Sequence, residues 1–286
     1  MFQKITVVQR KRIELVLIAI LIIGAIGYAG AGLVYAGARV ATADRTLNSV
    51  VSHQNKLNAT FADINSQLGA LTSNPTFKPQ DAVALVDRSV ANSEVASKTI
   101  TEDDASLSTA LKGLDDHGWL TFVGRSNLDR EATRIGHARK ALAAARTIAA
   151  DKALEGHFWH GLYSGLADLA TLNGQSTAGD LGAARSTLGT MKADVDLAAK
   201  QAGAPPLPAD LNALKIDLQA FVNDYGKQLD AQIAGDDASV AVYQANVQAD
   251  LARFATYDID AIGKEIDAYY KPLIERFNSE IAAATA

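Results

Sequence analysis

Cysteine is absent from this chain of 286 residues. The absence excludes a disulfide framework, a thiolate metal site, a cysteine nucleophile and a lipid-modified N-terminal cysteine. Aromatic residues are scarce, at 6% of the chain, whereas alanine is abundant, and this bias favours helices that pack closely against one another. Any attachment to a membrane must therefore come from the polypeptide itself.

Motifs for catalysis and for cofactors are also missing. The sequence has no Gly-x-Ser-x-Gly elbow for a nucleophilic serine, no glycine-rich phosphate loop, no His-Glu-x-x-His zinc motif and no EF-hand spacing of aspartates. We therefore expect a protein that is not an enzyme and that needs no cofactor.

A long apolar run is the strongest feature that is present. Residues 15–38 carry no charge, and at about 1.5 Å per helical residue they are long enough to cross a hydrocarbon core of roughly 30 Å. Basic residues crowd the N-terminal side of this run, whereas the charges on its other side are mixed in sign. The positive-inside rule therefore predicts a cytoplasmic tail at 1–12, one transmembrane helix at 13–38 and an extracytoplasmic domain at 39–286 in a bacterial cell membrane.

A cleaved signal peptide is the alternative interpretation of the same run. The triplets Ala36-Gly37-Ala38 and Ala41-Thr42-Ala43 both fit the small-x-small pattern that signal peptidase cleaves. The run is nevertheless longer than the roughly 7–15 apolar residues of a usual signal peptide. The sequence therefore favours an anchor that is retained.

The predicted extracytoplasmic domain is acidic. The whole chain has a formal net charge of −5, and residues 1–38 contain four of its 27 Lys and Arg residues but one of its 32 Asp and Glu residues. An acidic domain disfavours nucleic acid as a partner. We expect the partners to be the lipid bilayer, an envelope or membrane protein, or a second copy of the chain.

Apolar residues recur at alternating steps of three and four, which predicts an all-α domain. The first such seam runs from Val40 to Leu71 with one polar member, Gln54, and predicts a helix to about Thr72. Segments rich in Gly and Pro separate further helices, and the sixth helix is predicted to run from residue 237 to the C-terminus.

These helices predict an elongated antiparallel bundle of about six helices that continues from the transmembrane helix. The layout is either a single bundle or two stacked four-helix modules. In the second case, the membrane-proximal module comprises about 39–150 plus 260–286, and the distal module about 150–260.

The order of medium, medium, long, short, short and long helices resembles the helical bimodular sensor domains of bacterial chemoreceptors. The resemblance covers the ectodomain at the level of helix order and transfers no residue roles. The chain is also similar to single-pass bacterial proteins with an alanine-rich helical ectodomain. Because the sequence contains no second membrane helix and no cytoplasmic signalling region, we expect tethering more than transmission.

Four polar residues come to one level in this layout. Counting about 1.5 Å per residue along each helix puts them roughly 15–25 Å above the membrane; they are Gln54, Asp104, His137 and Tyr269. One interpretation is a pocket for a small ligand between the helices, and the other is a buried polar layer that fixes their register. Because Asp104 is assigned to an apolar seam, it is expected to pair with Arg134 or His137.

A second cluster of unusual residues surrounds two histidines. His157 and His160 are three residues apart, so on a helix they can share one metal ion, with Glu155 close by. Alternatively, the aromatic residues between Phe158 and Tyr163 pack the junction between the modules and leave the histidines partly exposed.

The connection after the second helix is strongly apolar for a loop. We expect Trp119 and Phe122 to dip into the headgroup region of the membrane, with Arg125 directed toward phosphates. The alternative is that both aromatic residues cap the core of the bundle.

Two functional hypotheses follow from these features. The first is a membrane-anchored extracytoplasmic binding or interaction module, which includes the sensing of a ligand together with a partner protein. The second is a structural spacer or assembly element of the cell envelope, for which an elongated bundle with a polar surface suffices.

Overall fold

The computed structural model describes residues 37–72, 78–115 and 125–286. Seven helices account for nearly all of these residues, and none of the described residues forms a strand. The helices are α1 (Gly37–Thr72), α2 (Pro79–Asp115), α3 (Arg125–Thr177), α4 (Leu181–Gln201), α5 (Leu211–Ala234), α6 (Asp237–Phe254) and α7 (Ile259–Thr285). The predicted all-α fold is confirmed for this part of the chain.

The C-terminal region forms two helices, so the prediction of one long sixth helix is wrong. α6 ends at Phe254 and α7 begins at Ile259. The side chain of Asp258 accepts a hydrogen bond of 2.9 Å from the backbone N–H of Ala261. Asp258 thereby caps the start of α7, and hydrophobic periodicity alone carries no signal for such a cap.

The ends of α4, α5 and α6 have clear local causes. Asp180 caps α4 by accepting a 3.0 Å hydrogen bond from the backbone N–H of Ala183. α5 ends at Gly235, whose φ of 70° lies in the left-handed region that glycine adopts without strain. Asp236 then caps α6 through the backbone N–H of Ser239, at 3.1 Å. The break predicted at Gly235 and Asp236 is confirmed.

The packing divides the chain into two compact units. Unit I contains residues 37–66, Ala91–Lys152 and Asp267–Ala286, and unit II contains Gln67–Val90 and Ala153–Ile266. Three segments that the expected membrane-proximal module contained belong to unit II: residues 67–72 of α1, 79–90 of α2 and 260–266 of α7.

The core of unit I is built from segments of α1, α2, α3 and α7. Ala43, Leu47 and Val50 of α1 are buried at the positions that the heptad seam predicted. They belong to one apolar cluster with buried residues of the other segments: Ala96, Ile100, Leu107, Leu114, Ile135, Ala138, Leu142, Ala149 and Ala284. Alanine supplies several of these contacts, and its small side chain lets helices approach closely.

Unit II is organised around α5, which packs against both α4 and α6. Both α4 and α5 bury a stripe of apolar residues at helical spacing, which includes Leu188, Met191 and Val195 on α4 and Leu218 and Phe221 on α5. A further cluster in this unit joins the start of α2 to α3: Ala82, Val86, Val90 and Tyr163.

A close helix crossing in unit II depends on one glycine. A Cβ atom at Gly161 of α3 would lie 2.6 Å from the carbonyl oxygen of Asp194 and 2.8 Å from the backbone nitrogen of Ala198, both on α4. One turn later, a Cβ atom at Gly165 would lie 3.5 Å from Val195, which is an ordinary contact. Glycine is therefore required at residue 161 for the backbones of α3 and α4 to touch.

The predicted transmembrane helix falls almost entirely on residues 1–36, which lie outside the described residues. Within the ranges that are described, none of the helices combines the length and the apolar character needed to cross a bilayer.

Candidate functional site

Asp103, which the sequence analysis did not select, is a buried carboxylate of unit I, as is Glu131. Asp103 is 4% exposed and Gln54 is 6% exposed. The side-chain amide of Gln54 donates a 3.3 Å hydrogen bond to Oδ2 of Asp103, and Nδ1 of His53 lies 2.8 Å from Oδ1. Gln54 is therefore buried where its seam position predicted, and its partner comes from α2.

Asp104 lies on a more exposed face of α2, and the pairing expected for it is wrong. Its carboxylate accepts a 2.8 Å hydrogen bond from Nε of Arg139 and lies 3.6 Å from Nη2 of Arg146. This hydrogen bond raises the pKa of Arg139 above its ordinary value. Steps of three and of four from Ile100 lead to Asp103 and Asp104 respectively, and the apolar seam takes the step of three.

Arg134 and His137, the partners expected for Asp104, are engaged by other groups of unit I. Arg134 donates to Glu131 at 2.8 Å and to the backbone carbonyl of Ala284 at 2.8 Å. Nδ1 of His137 lies 2.6 Å from Glu280, and this contact lowers the pKa of the Glu280 carboxyl.

Tyr269 completes the set of four predicted ligand-binding residues. Its hydroxyl donates a 2.7 Å hydrogen bond to Asp151, and this bond, together with burial, raises the pKa of Tyr269 to about 12. Each of the four residues thus bonds a different group of unit I. A shared ligand pocket around them stays a prediction.

The two histidines of the predicted metal site also have separate environments. Nδ1 of His160 lies 2.6 Å from Oδ1 of Asp87, and Glu155 accepts a 3.3 Å hydrogen bond from the indole of Trp159. His157 is half-buried. Among the described residues, no group of three or more His, Asp or Glu side chains is placed to hold a metal ion.

The aromatic residues of this segment contribute to packing within unit II. Phe158 is fully buried, and the ring of Trp159 stacks on that of Tyr163 with centroids 6.1 Å apart. Tyr163 packs against Val86 and Val90 of α2. The expected role of these aromatic residues at a junction between modules stays a prediction.

The predicted membrane-interface residues lie at the edge of what is described. Trp119 and Phe122 fall within 116–124, outside the described residues, and Arg125 is described only as the first residue of α3. Their role at a headgroup region stays a prediction.

Two carboxylates of unit II, those of Asp168 and Asp194, lie close enough for their charges to interact. Burial raises the pKa of Asp168 on α3 and of Asp194 on α4, and the negative charge of Asp194 raises the pKa of Asp168 further. The charge interaction with His160 lowers the pKa of Asp194 and so opposes the effect of burial. One carboxylate oxygen of Asp168 is buried and has no hydrogen-bond partner.

Among the described residues, α4 and α5 enclose a groove to which no motif pointed. It has a volume of about 400 Å³. Its floor is formed by the buried side chains of Leu188 and Val222. The remaining lining residues are Arg185, Gly189, Lys192, Asn223, Gly226, Lys227 and Asp230. A smaller pocket of about 140 Å³ adjoins it and shares Lys192, Val222 and Asn223.

Two glycines open this groove, one on each helix. A Cβ atom at Gly189 would meet no heavy atom within 4 Å, which shows open space above α4. A Cβ atom at Gly226 of α5 would lie 3.1 Å from Nη1 of Arg185 and 3.3 Å from Leu188. Glycine at residue 226 therefore leaves room for the Arg185 guanidinium to lie across α5.

Each cationic side chain of the groove has a carboxylate partner. Arg185 reaches Asp230 across the groove through two contacts of 2.8 and 3.1 Å. Lys192 lies 2.8 Å from Asp196 and lowers the pKa of that carboxyl. Lys227 lies 3.1 Å from Asp224. One feature of the sequence could have indicated this surface. Arg185 and Lys192 are seven residues apart, so on a helix they lie on the same face, and Leu188 and Gly189 lie between them.

Comparison of the chain with models of known protein families, with curated proteins and with solved structures finds no match. The geometry and charge of the two units therefore carry the functional conclusion.

Proposed function

We propose that this chain is a non-enzymatic binding module, held at a bacterial membrane by residues 15–38, that receives a ligand in the groove between α4 and α5. The groove is the observation that carries the proposal. It combines an apolar floor with polar side chains at its rim, which is the usual composition of a small-molecule site, and its volume of about 400 Å³ is sufficient for one.

The predicted ligand-binding residues of unit I are less suited to receive a ligand than the groove is. Each of the four predicted ligand-binding residues already forms a hydrogen bond within unit I; they are Gln54, Asp104, His137 and Tyr269. A ligand there would have to replace hydrogen bonds that stabilise the fold. At the groove, a ligand would instead compete with ion pairs that are largely exposed.

The lining of the groove favours binding over catalysis. It contains arginine, lysine, asparagine and one aspartate, together with apolar residues and glycines. It offers neither a serine or threonine nucleophile nor a histidine base, so the pairing that nucleophilic catalysis requires is missing there.

The proposal can be tested with the full-length chain in nanodiscs of zwitterionic lipid. We would follow the methyl NMR signals of Leu188 and Val222 during titration with 4-phenylbutyrate and with its neutral analogue 4-phenylbutyramide. Saturable shifts of both floor residues with at least one probe are expected. The absence of shifts with both probes at low millimolar concentration would contradict the proposal.

A matched pair of variants locates the site. In Gly189→Leu, the new side chain has open space and fills the groove, so binding of either probe is expected to weaken by at least about tenfold. Gly174→Leu is the control, because a Cβ atom at this α3 position also meets no atom within 4 Å but lies outside the groove. Equal binding by the two variants would place the probe elsewhere.

A structural spacer is the second candidate, and the buried pair of Gln54 and Asp103 in unit I favours it. A buried polar pair between two helices fixes their register, which an extended structural element needs. The two functions predict different results when the protein is purified from the membrane. Co-purification with a different membrane protein supports a binding module that acts with a partner, whereas detergent-stable homo-oligomers alone support the spacer.

A further inference from the structure

Helix α6 is attached to unit II by few buried side chains. Of its 18 residues, Val247 and Asp250 are buried, whereas α5 buries nine of 24 residues and α4 buries six of 21. Phe254 adds one half-buried ring, whose centroid lies 5.8 Å from that of Phe221 on α5. Because burial of apolar surface is what mainly holds a helix in place, α6 is docked more weakly than α4 and α5.

One of the two buried residues of α6 is a carboxylate that lacks hydrogen-bond donors. Asp250 is 2% exposed. One of its oxygens is bonded to Arg253 on the same helix, and the other is buried and has no hydrogen-bond partner among the described residues. An ionised carboxylate accepts hydrogen bonds at both oxygens, and burial without them is costly. The buried face of α6 therefore carries a group that opposes docking when it is charged.

The charges around Asp250 compensate it incompletely. Asp217 and Asp224 of α5 act on it with the same sign, and Arg253 acts against them. The side chain of Arg253 is 48% exposed and also lies 3.1 Å from Asp217, so its charge is screened by water and shared with a second carboxylate. Burial is the largest effect, and it raises the pKa of Asp250 above its ordinary value.

Two further groups act on the carboxylates of α5. Lys227 lies 3.1 Å from Asp224, and the hydroxyl of Tyr257, in the connection after α6, donates a 2.6 Å hydrogen bond to Asp217. Burial and this bond raise the pKa of Tyr257 to about 12, so Tyr257 stays neutral where carboxylates titrate. Asp217 and Asp224 are half-buried, so among these three carboxylates Asp250 is the buried one.

From this geometry we infer that α6 is a strap on unit II whose docking against α5 is controlled by a proton bound at Asp250. A released α6 places this carboxylate in water, where its pKa is ordinary, so the docked helix binds the proton more tightly than the released one. Docking therefore strengthens as pH falls through the raised pKa, and release at higher pH uncovers the side of α5 around Phe221. The device is separate from the groove between α4 and α5, which Asp250 does not line.

Hydrogen exchange of the full-length chain in nanodiscs, followed by mass spectrometry, tests the inference. Peptides from residues 238–254 report on the opening of α6, and peptides from residues 184–199 of α4 report on unfolding of the unit. After correction for the intrinsic exchange rate at each pH, we expect α6 to open more readily than α4. Its opening constant should fall by at least about threefold between pH 7 and pH 4.

Three aspartate variants assign this pH dependence. Asp250→Asn has a neutral amide in place of the protonated carboxyl, so α6 should open at least about threefold less readily than in the parent at pH 7 and lose most of its pH dependence. Asp224→Asn removes a like charge and should shift the pH dependence to lower pH. Asp230→Asn is the control and should match the parent, because this exposed carboxylate of α5 pairs with Arg185 of α4.

Four results would overturn the inference. If α6 exchanges only together with α4, it is not a separate strap. If opening of α6 in the parent does not change with pH, no proton is linked to docking, and if Asp250→Asn keeps the pH dependence of the parent, another group carries it. If Asp250→Asn opens α6 more readily at pH 7, or exposes α4 as well, the charged carboxylate stabilises the unit, which is the opposite of the inference.

Discussion

Asp103 carries one of the two carboxylates, with Glu131, that are buried among the described residues of unit I. It is buried with Gln54, whose side-chain amide donates to it at 3.3 Å. A buried polar group that loses its partner costs stability, whereas removal of both partners together is often nearly neutral. The two side chains therefore act as a pair.

Replacing one member of this pair should cost more than replacing both. We expect Asp103→Leu to lower the free energy of unfolding by about 1–3 kcal/mol, because Gln54 stays buried without its acceptor. The double variant with Gln54→Leu should recover most of that loss. Denaturant unfolding of both single variants and the double variant measures the coupling, and strictly additive effects would show that the two side chains do not depend on each other.

Asp168 provides a pH-dependent prediction at the same scale. Burial raises its pKa and so does the negative charge of Asp194, so the charged form of Asp168 costs the folded state stability at neutral pH. The sign follows from proton binding. With a folded-state pKa above the unfolded value, the folded state holds this proton more tightly, and the cost is relieved as pH falls through the raised pKa.

We therefore expect Asp168→Asn to be more stable than the parent at pH 7, and the difference to shrink as pH falls toward the ordinary carboxyl pKa. Denaturant unfolding of both proteins between pH 4 and pH 8 checks this prediction. Asp194, whose charge acts on Asp168, and His160, whose charge acts on Asp194, are the same in both proteins, so their own titration largely cancels in the comparison. A difference that grows on acidification would contradict the assignment.

At the scale of helices, the contact between α3 and α4 distinguishes two glycines that the sequence presents alike. A methyl group at Gly161 would lie 2.6 Å from the backbone carbonyl of Asp194, which cannot rotate away, whereas a methyl group at Gly165 would make an ordinary 3.5 Å contact with Val195. The helices must separate in the first case only.

Gly161→Ala is accordingly expected to destabilise the chain by about 1–3 kcal/mol through overpacking. Gly165→Ala is the matched control, and it should be neutral or more stable by up to about 1 kcal/mol, because alanine has the higher helix propensity. Thermal or denaturant unfolding of the two variants measures the difference. Equal effects would indicate that the α3–α4 contact is looser than its geometry requires.

For the molecule as a whole, the decisive prediction concerns residues 15–38. If this run is a retained anchor, the protein isolated from bacterial cells begins within residues 1–12 and stays in the membrane fraction after an alkaline carbonate wash. A variant with Leu21→Arg and Ile22→Arg should be lost from that fraction, because each arginine near the bilayer centre costs about 2.5–3.5 kcal/mol on insertion scales. A mature N-terminus at Arg39 or Asp44 would contradict the anchor and support cleavage.

Much of the helical architecture could be predicted from the sequence, since its signals are local. The seam through Ala43, Leu47 and Val50 predicts both the helix and its buried face, and Gln54 falls on that face as expected. The stop at Gly235 and Asp236 could also be predicted, because glycine tolerates a left-handed conformation and aspartate caps the next helix.

Which polar side chains are buried depends on the face that each helix turns toward the core, and the sequence leaves this open between neighbouring positions. Ile100 and Leu107 are compatible with a core residue at either 103 or 104, because steps of three and of four both continue the seam. The position of Gln54 on a neighbouring helix makes Asp103 the buried residue, and this frees Asp104 to pair with Arg139. The separation of α6 from α7 was missed for a related reason, since the apolar pattern continues across the cap at Asp258.

What the sequence by itself determined, then, is that residues 37 onward form helices with apolar seams and that the run at 15–38 is long enough to span a membrane. The tertiary structure alone decided which polar groups meet and where a groove opens. The groove needs Arg185 and Leu188 from α4 and Val222 and Gly226 from α5. Periodicity acts between neighbours along a helix, whereas a binding surface is made by side chains that only the packing of separate helices brings together.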